Sequence, residues 1–112
     1  MHTIKIGDTL SATLKMTDEA TNKPIVIDNN VTFASNVTDT YNKVIGEVII
    51  EKLDQLAYPG WVSLTVPSQV THTWKPGSAS LDVKMIINND IVVSTDTIKF
   101  MINDSPTKLI GN

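Results

Sequence analysis

Strict alternation of apolar and polar residues is the feature that most narrows what this chain can become. From Thr9 to Thr17, Leu10, Ala12, Leu14 and Met16 alternate with Ser11, Thr13, Lys15 and Thr17. From Ser78 to Asn88, Ala79, Leu81, Val83, Met85 and Ile87 alternate with Ser80, Asp82 and Lys84. A period of two turns one face to a core and the other to water, as a half-buried strand does. Further segments cover Asn30 to Val37, with Val31 and Phe33 alternating, Lys43 to Leu53, and Trp61 to Val66, with Val62, Leu64 and Val66 in phase. Threonine, valine and isoleucine dominate the composition, and these residues suit pleated surfaces better than helices.

Turn chemistry bounds each segment. Asn22-Lys23-Pro24, Asp28-Asn29-Asn30, Pro59-Gly60 and Lys75-Pro76-Gly77 tolerate left-handed or preset backbone angles, and Asn88-Asn89-Asp90 reads as a hairpin tip. In the last strand Ile91 and Val93 share odd positions, whereas Ile98, Phe100 and Ile102 share even ones. The buried side therefore flips near Ser94-Thr95, through a bulge or a crossing between sheets. Ser68 to Thr73, without alternation between two strong strands, predicts one short helical turn. About seven short strands in one domain-sized chain predict an antiparallel two-sheet sandwich, with a small barrel as the alternative. The sandwich is expected over residues 1–107, followed by a tail over 108–112.

A chain of 112 residues, 41% hydrophobic and 19% charged, is expected to be one soluble globular domain. No apolar run approaches the roughly 18 residues of a membrane helix. Met1-His2-Thr3-Ile4-Lys5 lacks the apolar core of a secretory signal and reads as the start of a whole cytoplasmic product. The Asn-x-Ser/Thr triplets at Asn30, Asn36 and Asn103 are accordingly read as coincidence in a chain rich in Asn and Thr. Every basic residue is a lysine, and these are scattered, which argues against a nucleic-acid surface.

Residues able to do chemistry are sparse. With no cysteine and only His2 and His72, the chain has no usual zinc set and one candidate base, His72, in Thr71-His72-Thr73-Trp74. Glu47 and Glu51, four apart, read as the wet face of one strand. The turns Asp28-Asn29-Asn30 and Asn88-Asn89-Asp90 could chelate calcium, although such residues more often supply positive φ. The expectation is no enzyme, no cofactor and no metal. Tyr58, Trp61 and Trp74, with Tyr41, could instead form a glycan-stacking platform, against which stands the need of a chain with few aromatics to spend them on its core.

One ordered series of motifs carries a family resemblance. Gly7-Asp8-Thr9 opens an alternating strand, Lys23-Pro24-Ile25 ends a polar turn, and Val31-Thr32-Phe33 follows. Pro59-Gly60-Trp61, Trp74-Lys75-Pro76-Gly77, Leu81-Asp82-Val83-Lys84 and Asp104-Ser105-Pro106-Thr107 complete it. From about Ile6 to Thr107 the chain resembles the small immunoglobulin-like proteins and domains of tailed bacteriophage virions, including baseplate and tail components. It differs in having few glycines in the middle strands. The resemblance implies an immunoglobulin-like fold and a structural role among other virion proteins, in several copies and without substrate, nucleic acid or membrane. Docking is expected at the ends: Ile4 and Ile6 alternate as an edge strand would, and Leu109 and Ile110 follow a proline. A glycan or host-surface binding module is the alternative function, and a hydrolase using His72 the third.

Overall fold

The alternating segments become strands in the computed structural model, which describes residues 2–107. In chain order the elements are β1 (His2–Lys5), β2 (Leu10–Lys15), β3 (Val31–Asp39), β4 (Val44–Glu47), β5 (Ile49–Lys52), β6 (Trp61–Val66), α1 (Ser68–Thr71), β7 (Gly77–Ile87), β8 (Ile91–Ser94) and β9 (Ile98–Asn103). They form two sheets. The larger runs β1-β9-β7-β3-β4, with β8 also paired to β7, and the smaller runs β2-β6-β5. All pairings between these strands are antiparallel except β1 with β9, which is parallel, with His2 opposite Phe100 and Lys5 opposite Asn103.

The core lies between the sheets, where the in-phase aliphatics meet. Leu81, Val83 and Phe100 from the larger sheet face Val62, Leu64 and Val66 from the smaller, and all are buried. Val37, Val62, Val66 and Val83 are fully buried, each worth about 1.5–3 kcal/mol relative to exposure. Buried polar groups are few and satisfied: Ser35 Oγ donates to the Asp82 carbonyl at 2.6 Å and Thr71 Oγ1 to the Asp8 carbonyl at 2.7 Å.

Three expectations change in the folded chain. Lys43 to Leu53 is not one strand, because the chain leaves the larger sheet after β4 and joins the smaller as β5. The crossing point, Val48, is buried and its N–H bonds the Ser35 carbonyl at 2.9 Å. Glu47 and Glu51 thus lie opposite Asn36 and Ser63 on different sheets and share no face. The flip in the last strand is an interruption within one sheet, not a crossing: β8 and β9 both lie along β7. Thr95 bridges the gap, its N–H bonding the Val83 carbonyl at 2.9 Å and its Oγ1 accepting the Val83 N–H at 3.0 Å. These two divisions give nine strands among the described residues instead of about seven.

Finally, Ile91 and Val93 are exposed, where their phase predicted burial. The smaller sheet ends at β2, so no strand covers the inner face of β8. An open groove runs there instead, lined by Leu14, Ile25, Ile87, Val93 and Ile98.

Candidate functional site

The aromatic platform of the alternative reading does not assemble from all its members. Trp74 is 5% exposed, its Nε1–H donates to the Ile45 carbonyl at 2.8 Å, and its ring lies 6.2 Å from that of Phe100. It plugs the end of the sandwich where β7 begins. Trp61 starts β6 opposite Lys15, at the other end. Tyr58 is next to Trp61, which donates its N–H to the Tyr58 carbonyl at 3.1 Å, and is 56% exposed. The structure therefore brings Tyr58 and Trp61 together and removes Trp74 from any sugar-facing role.

The candidate polar residues are engaged with backbone. His72 is half-buried, and its Nδ1 lies 3.2 Å from the carbonyl of Ser68, at the start of its own helical turn. The two asparagine-rich turns meet at one end of the molecule, where the Asn88 N–H bonds the Asn30 carbonyl at 2.8 Å. Asp28 Oδ1 accepts the Asn30 N–H at 2.9 Å, and Asn88 and Asn89 occupy the left-handed region at φ 54° and 55°. Both turns thus shape the chain by the local chemistry these residues favour. Among the described residues no three His, Asp or Glu side chains cluster closely enough to hold a metal ion.

Of the expected docking residues, the structure describes Ile4 and Ile6. Ile4 and Ile6 are half-buried against the protein's own core, and β1 pairs with β9 on one side, with the Ile6 N–H continuing the ladder to the Asn103 carbonyl at 2.9 Å, while its other side ends the larger sheet. Leu109 and Ile110 lie outside the described residues. Val26, Val44, Ile49 and Leu56 are exposed singly, whereas β8 carries three exposed aliphatics in a row, Ile91, Val92 and Val93, at 55%, 55% and 45%. Three adjacent exposed aliphatics on a strand present apolar surface on both faces.

The outer edge of β8 is also unpaired among the described strands, because β1 covers only the Phe100–Asn103 stretch beyond it. Thr95 turns its N–H toward Val83. By the alternation of an antiparallel ladder Val93 turns its N–H inward too, leaving those of Val92 and Ser94 directed outward, while at the tip the Asp90 N–H is taken by the Ile87 carbonyl.

The chain matches no protein-family model and no curated protein. Its site is therefore defined by geometry: a short, uncharged edge with free main-chain donors and acceptors and aliphatics on both sides. Such an edge can take up another strand, the main chain supplying affinity and the side chains the register. Sequence reasoning missed it by assigning Ile91 and Val93 to the core. The signal was present in Ile91-Val92-Val93, a run without polar alternation between a hairpin tip and Ser94-Thr95-Asp96.

Proposed function

We propose that this domain is a non-enzymatic structural or assembly protein of a tailed bacteriophage virion, belonging to its tail, baseplate or another component, and that it works by binding other virion proteins. The observation that carries the binding role is the open β8 edge with Ile91, Val92 and Val93 exposed. Edges of this kind are normally blunted by shortness, charge, proline or cover in a protein that acts alone, and β8, though only four residues long, has aliphatics in place of charge or proline. The virion setting rests on the motif series from Gly7-Asp8-Thr9 to Asp104-Ser105-Pro106-Thr107.

We read the sandwich as immunoglobulin-like. In favour are the sheet orders β1-β9-β7-β3-β4 and β2-β6-β5 and the crossing between sheets at Val48. The chain departs from antibody domains in having no cysteine for an inter-sheet disulfide, and in carrying its buried tryptophan just before β7 and not on β3.

Mass spectrometry of purified particles tests the function directly, and absence of the chain from them would sink the reading. Deleting Lys108 to Asn112 tests the tail: reduced incorporation is expected if Leu109 and Ile110 dock on a neighbour, and unchanged incorporation would remove them from the site. Exposed Tyr58 beside Trp61 favours one second reading, a glycan or host-surface module. A fluorescence titration of a Trp74→Phe variant, which leaves Trp61 as the reporter, separates the two: a saturable response to a glycan would support that module.

A further inference from the structure

We infer that β8 is a homodimer interface, in which two copies pair their β8 strands antiparallel about a two-fold axis passing beside Val92. This rests on the reading of the domain as an assembly module and names its first partner as a second copy of the chain. Residues directly opposite across an antiparallel pair must both face it or both face away. The outward-facing residues are Val92 and Ser94, so a symmetric pairing must bring these into register. Of the symmetric registers, only Val92 opposite Val92 of the second copy sets aliphatic against aliphatic throughout, with Ile91 opposite Val93 and Val93 opposite Ile91. Each exposed side chain then gains an aliphatic neighbour across the new pair, Val92 on one face of the joined sheet and Ile91 and Val93 on the other.

Charge selects the same register. Moving the axis to Val93 would place Asp90 opposite Asp96 of the second copy, a like-charge pair directly across the ladder. With the axis at Val92, Asp90 comes opposite Ser94, whose hydroxyl already receives the Lys84 ammonium at 2.8 Å. The pairing thus sets up two symmetric Lys84–Asp90 contacts between copies. The hairpin tip of the second copy ends at Asn88 opposite Asp96, clear of β1, which begins at His2 opposite Phe100.

The absence of cysteine makes the test clean. Paired Cα atoms across an antiparallel ladder lie about 5.5 Å apart, within disulfide range. Under mild oxidation a Val92→Cys chain is expected to become a covalent dimer. Val26→Cys, at a position 77% exposed but away from β8, should stay largely monomeric. No crosslink through Cys at 92, or equal crosslinking of both variants, overturns the proposal. Sedimentation equilibrium of the unmodified chain should give a dimer that Val92→Lys weakens by at least ~10-fold, as an edge lysine opposes pairing. Circular dichroism of each variant checks that the fold is retained. Lys84→Glu or Asp90→Lys alone should weaken the dimer and the two together restore it; failure of that rescue overturns the register.

The two proposals fail separately. A Val92-centred dimer in solution with no copies in purified particles supports this contact and sinks the virion role. Copies in particles without the Val92 crosslink do the reverse.

Discussion

Gly60 is the residue at which backbone geometry leaves least choice. It sits at φ +83°, and a Cβ there would stand 2.7 Å from the Met16 carbonyl oxygen and 3.0 Å from Pro24 Cβ. Its carbonyl accepts the Met16 N–H at 2.8 Å and its N–H donates to Gln55 Oε1 at 2.8 Å. Both strain and clash oppose any side chain, so Gly60→Ala is expected to cost about 1–3 kcal/mol, read as a lower urea midpoint with unchanged slope. Trp74→Phe removes the hydrogen bond to Ile45 while keeping an aromatic plug, and should cost about 1–2 kcal/mol. In the native chain the tryptophan emission protected from iodide quenching should belong to Trp74. Pro59-Gly60 was legible as a turn from the sequence, and its requirement for glycine follows from the approach of Met16 and Pro24, which only the fold brings about.

Among the elements, the β7–β8 hairpin was the most legible. Asn88-Asn89 supplies two successive left-handed residues, φ 54° and 55°, and the Asp90 N–H closes the turn on the Ile87 carbonyl at 3.1 Å, the backbone that a tight hairpin requires. Asn88→Val, β-branched and unsuited to positive φ, should destabilise by about 1–3 kcal/mol, whereas Asn89→Gly should be nearly neutral. Thr95 illustrates what local pattern cannot convey. Its hydroxyl stands in for a main-chain acceptor where β8 gives way to β9, so Thr95→Val should leave the Val83 N–H unpaired, at about 1–2 kcal/mol. Faster hydrogen exchange at the Val83 amide, relative to its neighbours in β7, is the measurement. Phase alone signalled the interruption; whether the chain then stayed on β7 or crossed depended on which partner edge was free.

At the scale of the whole molecule, β1 closes the larger sheet and covers its core at the open side of the sandwich. Removing residues 1–6 should cost about 2–4 kcal/mol, chiefly the burial of Ile4 and Ile6. A thermal melt of the shortened chain is the measurement. The unequal widths of the sheets also explain the candidate site. Three strands in the smaller sheet stop at β2 and leave β8 overhanging, so residues with core-like composition become surface.

Alternation, its absence over Ser68 to Thr73, and turn residues by themselves determined an all-β chain, the positions of most strands, the short helical turn and the hairpin tip. These depend on interactions between residues near in sequence, which the chain spells out directly. The tertiary structure decided which edges pair: β1 parallel to β9, the crossing at Val48, Trp74 inward and Ile91 to Val93 outward. An aliphatic side chain signals only that it gains by burial. Whether its own molecule buries it depends on the reach of a sheet built from residues distant in sequence, and at β8 that sheet ends before it can.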